Sequence, residues 1–142
     1  GPKFDYKLAW IERFVALAKD LFDVAEPVVL AGDYNIIPTD ADVYKPERWV
    51  DDALFAPEVK AAYQRLLHHG WTDALRSLHP EERVFTFWDY FRNAFPRDAG
   101  LRIDHLLLNA SAADRLQQAG VDRSVRALPK TSDHAPVWIE IA

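Results

Sequence analysis

Apolar residues at Leu8, Ile11, Val15, Ala18 and Phe22 recur at helical spacing, and Trp10, Phe14 and Leu21 widen the stripe they form. This predicts a helix from Phe4 onward that Pro27 stops. The unbroken run Val28–Ala31, closed by Gly32, predicts a strand buried on both faces. A second helical stripe, Val59, Ala62, Tyr63, Leu66 and Leu67, opens at Pro57 with Glu58 at its positive end and closes at Gly70. Between these blocks Ile37–Pro57 is aperiodic and rich in proline and acid, which predicts a long loop. Trp71–Leu75 reads as a short extended or turn segment and Ser77–Glu82 as loop. Val84–Trp88 is β-branched and aromatic and predicts a strand. Asp89–Gly100 then reads as a hairpin loop and Leu101–Leu108 as the next strand. Ser111 is placed to cap a short helix through Gln118. Val125–Leu128 reads as a short edge strand and Pro136–Ile141 as the last strand.

Composition narrows the class. The chain has 142 residues, 49% of them apolar and 27% charged, which describes one globular domain. It contains no cysteine, so disulfides and thiolate metal sites are excluded and a reducing, cytoplasmic setting is expected. No apolar run approaches a membrane span, and no secretory leader is expected. The net charge of −5 argues against attachment to nucleic acid by charge alone, although metal ions and a local Arg/Lys patch can supply the positive field. The start at Gly1-Pro2-Lys3 is abrupt and reads either as a cloning scar or as the middle of a longer chain.

Three strand ends carry chemistry-bearing residues. Asp33 and Asn35 lie two positions apart, so on a strand they share a face, where they can bind a cation, activate a water or hold an oxyanion. Both types also favour turns, and a turn reading stands beside the site reading. Asp104 interrupts an apolar strand and needs a partner, either an Arg for structural reasons or a histidine whose tautomer it would fix. His134, next to Asp133, is the candidate, whereas His105 alternates to the opposite face from Asp104. His68 and His69 sit at a helix C-terminus and read as structural, His79 as surface, and Trp49 as a loop anchor.

Four motifs occur in order: Gly32-Asp33-Tyr34-Asn35 with Pro38-Thr39-Asp40, Trp88-Asp89-Tyr90, Gly100-Leu101-Arg102-Ile103-Asp104, and Ser132-Asp133-His134-Ala135-Pro136-Val137. Together they resemble the C-terminal half of the exonuclease III family of DNA repair nucleases, within the wider endonuclease/exonuclease/phosphatase superfamily. Trp71–Leu75 and Gly100–Asp104 favour that branch over the phosphatases. The resemblance implies metal-dependent phosphodiester hydrolysis, as an abasic-site endonuclease and 3'-5' exonuclease, with Mg2+ or Mn2+ as cofactor. Asp33 is similar to the carboxylate that activates the attacking water, and Asn35 to the amide that orients it. Asp104 is similar to the acid that props the catalytic histidine, His134 to that histidine, and Asp133 to a metal-associated carboxylate. Phe87, Trp88, Leu101 and Ile103 resemble the apolar pocket for a base-free deoxyribose. Tyr90, Arg92 and Asn93 fall where the DNA-facing loop lies, so double-stranded DNA with abasic sites or 3' ends is the implied partner.

The implied fold is α/β, a mostly antiparallel mixed sheet with helices on one face. Residues 1–142 would then be the C-terminal half of a four-layered α/β sandwich. The family's N-terminal half supplies an early Asn, the main metal-binding Glu and a Tyr near the phosphate, and none of these has a match here. The chain alone is therefore expected to be nearly inactive, with its bare sheet face covered by the missing N-terminal half or by a second copy in a homodimer. The alternatives are a superfamily phosphatase acting on inositol phosphates or phospholipids, and a non-catalytic structural half-domain.

Overall fold

The computed structural model describes residues 1–142. In chain order the elements are α1 (Pro2–Phe22), β1 (Val29–Asp33), α2 (Pro57–His69), β2 (Thr72–Asp73), α3 (Ala74–Leu78), β3 (Phe87–Trp88), β4 (Gly100–Leu101), β5 (Asp104–Leu108), α4 (Ala110–Asp114), β6 (Leu116–Val121), α5 (Arg123–Arg126) and β7 (Val137–Ile141). Every strand pair is antiparallel, in three sets: β1-β5-β2, β3-β4 and β6-β7.

Helices α1 and α2 pack on one face of the β1-β5-β2 sheet. Ile11, Val15 and Ala18 of α1 meet Val59, Ala62, Tyr63 and Leu66 of α2 over Leu107 of β5, with Leu30 of β1 at the margin. Helix α1 ends at Phe22, ahead of Pro27, and α2 ends where Gly70 takes a φ of 130°. A side chain at Gly70 would also strike the Phe22 ring at 2.5 Å, so this glycine answers both a backbone and a packing demand. On the opposite face, Leu106 and Leu108 are sealed by Ala74, Ala112 and the inner residues of β6 and β7.

Several expectations need correction. β1 is not buried on both faces, because it is the edge of its sheet and only Leu30 is partly covered, while Val29 and Ala31 lie open. The strand expected over Leu101–Leu108 is split at Arg102-Ile103, since its two ends pair in different sheets. Of Val84–Trp88, only Phe87-Trp88 pairs in a sheet. The helix expected through Gln118 ends at Asp114 and is capped by Asn109, whose side chain accepts from the amide of Ala112. The residues beyond it form β6, paired with β7. The edge strand expected at Val125–Leu128 belongs instead to α5 and the turn after it, where short-range backbone bonds curl the chain. The long loop holds three turns of 3-10 helix, at Asp40–Asp42, Pro46–Arg48 and Ala53–Phe55.

Candidate active site

The end of the β1-β5 ladder sets the first two side chains. Its register places Asp33 directly opposite Asp104, so two carboxylates face the same way from adjacent strands. Like charges in that position repel unless a donor lies between them. His134 is that donor. Its Nδ1 lies 2.8 Å from an Asp104 oxygen, and its Nε2 lies 3.7 Å from an Asp33 oxygen and 3.8 Å from an Asp133 oxygen.

The loop carrying His134 is held by backbone pairing rather than by packing alone. The amide of Ala135 donates to the carbonyl of Thr86 at 2.8 Å, and the amide of Trp88 donates to the carbonyl of Asp133 at 3.0 Å. His134 itself bridges to Phe87 and takes that ring edge-on at 5.2 Å. The Ser132 hydroxyl accepts from the His134 amide, which tightens the turn. Thr86, fully buried, accepts from the amides of Ile103 and Asp104 and so anchors the start of β5. Neither Thr86 nor Phe87 was identifiable as a support of His134 from residue types, because each acts through backbone bonds formed across the fold.

The electrostatics follow from this crowding. Burial pushes the Asp104 carboxyl up, against the hydrogen bond from His134. Burial opposes charge on His134 as well, yet the bond to Asp104 and the charges of Asp104, Asp33 and Asp133 prevail and raise its pKa above the ordinary imidazole value. With Nδ1 bonded to Asp104, Nε2 is the nitrogen left facing the open side. One oxygen each of Asp33 and Asp104 and one ring nitrogen of His134 lie within 4.8 Å of one another. Asp104 and Nδ1 are engaged with each other, while Asp33 and Asp133 place carboxylates 3.7 and 3.8 Å from Nε2. These are hard oxygen donors of the kind that suits a hard divalent cation.

Asn35 does not extend β1. It sits just past the strand at a φ of 52°, and its amide donates to an Asp33 oxygen at 2.9 Å, closing an Asx turn. The turn reading and the proximity to Asp33 therefore both hold, but the shared-strand-face reason does not. Asp33 and Asn35 also border an open groove of about 1090 Å³ against Phe4, Lys7 and Trp10 of α1. Asp104 is propped by histidine and not by an arginine, because the neighbouring Arg102 turns the other way to Asp42 and Asp73. His105 does lie on the opposite face, in the core.

The other predicted residues separate into two groups. Phe87 and Leu101 border a cavity of about 360 Å³ with Tyr44, Trp49 and Arg92. Trp88 and Ile103 are buried behind it, Trp88 against Phe85 and Ala135, Ile103 against Ile37 and Val43. Tyr90 is exposed and bonds the Thr131 carbonyl, while Arg92 and Asn93 form a left-handed turn at the loop tip. Phe91, three-quarters exposed at 74%, stands beside them and was not singled out by pattern, since an aromatic in a loop reads as an anchor. Arg126 was also missed; from α5 it clasps the carbonyls of Trp88 and Asp89 and so braces the loop's start.

The end of the β1-β5 ladder thus presents two carboxylates and an acid-propped imidazole, flanked by a third acid, a set of groups that can activate a water and hold a cation. Comparison with known proteins gives the family. Residues 1–134 match the endonuclease/exonuclease/phosphatase family, and the chain belongs to it. It is 38% identical over 125 residues to exodeoxyribonuclease III of Haemophilus influenzae, covering 83% of this chain and 47% of that protein. Among solved structures it is similar to the 3' phosphatase NExo from Neisseria bound to product DNA hairpin, with a TM-score of 0.95 and 40% identity over 100% of this chain and 55% of that one. It is also similar to an AP endonuclease from Archaeoglobus fulgidus, with a TM-score of 0.94 and 33% identity over 99% of this chain and 55% of that one. The chain thus spans about half the length of the relatives it matches. No helix is long and apolar enough to cross a membrane.

Proposed function

We propose that this chain is the C-terminal half of a divalent-metal-dependent DNA repair nuclease that hydrolyses phosphodiesters at abasic sites and 3' ends. The observation that carries this reading is the 2.8 Å bond between Asp104 and His134, which leaves Nε2 of His134 facing Asp33. Asp104 fixes the tautomer and supports the imidazolium, so His134 donates from Nε2 to a phosphate oxygen. Asp33 accepts a proton from the attacking water, and Asn35, tied to Asp33 through its amide, orients that water. Three carboxylates around one imidazole would repel an incoming phosphate, so a cation is needed to offset them. Asp33 and Asp133 would hold it, and it would stabilise the charge that builds on phosphorus.

Two carboxylates are fewer than the roughly six ligands that Mg2+ takes. The rest would come from water, phosphate and the N-terminal half, which accords with a chain spanning half of its relatives. That half covers the open Val29 and Ala31 of β1 and the exposed Tyr6 and Trp10 of α1. Where it is absent, a second copy covers them in a homodimer. Sedimentation at micromolar concentration is expected to show dimers, and a clean monomer removes the homodimer. The exposed Tyr90 and Phe91 with Arg92 form the DNA-facing surface, and Phe87 with Leu101 forms the slot for a base-free sugar. The absence of cysteine favours a cytoplasmic setting.

The test is incision of a duplex carrying one abasic site, with Mg2+, alongside Mn2+ binding by calorimetry. The chain should bind Mn2+ weakly and cut slowly. Asp33→Asn and Asp133→Asn should each weaken Mn2+ binding, and His134→Ala should lower incision by about 10²- to 10⁴-fold. Incision indifferent to His134→Ala would refute the assigned role.

A further inference from the structure

The turn that carries Asn35 is a left-handed one at a non-glycine residue, a conformation that persists only where its surroundings impose it. Two side chains from outside the turn do so. From α1, the Lys7 ammonium donates to the Asn35 carbonyl at 2.7 Å and reaches the Ala53 carbonyl at 3.4 Å. From β5, Nε2 of His105 lies 2.9 Å from the Ile36 carbonyl. The proton on that nitrogen is settled by the other side of the ring. Nδ1 is 3.3 Å from the Arg102 guanidinium, which has donors only, so Nδ1 accepts and Nε2 donates.

The support behind His105 is rigid. Arg102 is itself held by Asp42 at 2.7 Å and Asp73 at 2.9 Å, and Tyr63 donates to Asp73 at 2.7 Å. The imidazole is wedged between the rings of Tyr34 and Tyr63, at 5.2 and 5.0 Å. A phenylalanine would fill the same space but leave the carbonyl of the buried Ile36 without this donor.

We infer that Lys7 and His105 are positioning residues that clamp the Asp33–Ile36 turn at two successive carbonyls, those of Asn35 and Ile36, and thereby set Asn35 against Asp33. Their effect on catalysis rests on the function proposed above, while their effect on the turn does not. A misplacement of about 1 Å at a reacting group is enough to lower a rate about 10²-fold, so the clamp acts on turnover and not on DNA affinity.

The experiment is a ¹H–¹⁵N correlation spectrum of the chain and four variants. His105→Phe and Lys7→Met should shift or broaden the Asn35 backbone and side-chain amides while leaving those of β6 in place. His105→Gln, which restores a donor at the position of Nε2, and Lys7→Arg should bring the Asn35 signals back. In the abasic-site assay the two disruptive variants should lower kcat about 10²-fold with KM unchanged. Asn35 signals superimposable on wild type in both His105→Phe and Lys7→Met would overturn the inference. Should far-UV circular dichroism show His105→Phe unfolded, Lys7→Met, at the margin of the fold, decides alone. If the wild-type chain incises DNA too slowly to measure, as a half alone would, the spectra by themselves decide the clamp, and incision that ignores His134→Ala is what overturns the functional reading.

Discussion

Asp104 and His105 are neighbours on β5, yet they belong to clusters of opposite character. Asp104 points to the rim, where it meets His134 beside Asp33 and Asp133, and these side chains are 17% to 37% exposed. His105 points into the core, where Arg102 bridges Asp42 and Asp73 at 2% exposure or below for Arg102 and Asp42. The residue types are alike, but the accounting of hydrogen bonds is not. In the core cluster Arg102 engages both acids, Arg76 adds a second cation to Asp42, Tyr63 bonds Asp73, and both nitrogens of His105 are used. At the rim, three acids share one imidazole and one of its nitrogens faces outward. Satisfied polar groups in a dry interior hold a shape. An acid-rich, half-solvated cluster keeps capacity for a cation and a phosphate.

The largest test of that contrast is charge removal. Arg102→Met removes the buried cation shared by Asp42 and Asp73, leaves Asp73 without a cation, and should cost about 3–5 kcal/mol in urea unfolding. A cost below about 1 kcal/mol would make the core cluster as dispensable as an exposed ion pair.

Acid should separate the clusters next. Burial, with Arg102 adding to it, lowers the pKa of His105 from 6.5 to about 4. The imidazole is neutral in the folded chain while the unfolded chain takes up a proton below about 6.5. Stability should therefore be complete above that pH and fall as pH drops to about 4, by about 3 kcal/mol from this group. Urea midpoints measured across this range should show the fall, and His105→Gln should remove most of it. Below that window Asp42 and Asp73 take over. Burial works against their charge, but Arg102 outweighs it and depresses both, so the stability they add is lost as they protonate.

Removing the rim histidine should matter less to stability. His134→Ala should cost about 1 kcal/mol, the worth of one partly solvated bond. Smaller still in stability, Asp104→Asn should lower the His134 pKa, read from its ring protons by NMR, since the carboxylate charge that raises it is gone and at most a neutral acceptor stays on Nδ1. An unmoved titration would mean that Asp104 does not prop the ring.

Much of this was legible in residue order. The stripes Ile11–Ala18 and Val59–Leu66 marked α1 and α2, and Asp104 in an apolar run demanded a partner that only a few residues could supply. What misled was locality. Arg102-Ile103 reads as continuous with the strand after it, but the chain changes sheets there, and pairing partners far along the chain make that decision. The strand Leu116–Val121 has an irregular pattern with Gly120 inside it, and pairing with β7 makes it a strand all the same.

The sequence by itself determined the alternation of helices and strands, the family likeness and the identity of the acids and imidazole that gather at the rim, because periodicity and residue chemistry are properties of short stretches. Only the tertiary structure decided that His134 and not an arginine meets Asp104, that β1 is an open edge, and that Lys7 and His105 grip the turn at Asn35. Each of these depends on backbone bonds and packing between residues 28 to 79 positions apart, and such distances carry no signal along the chain.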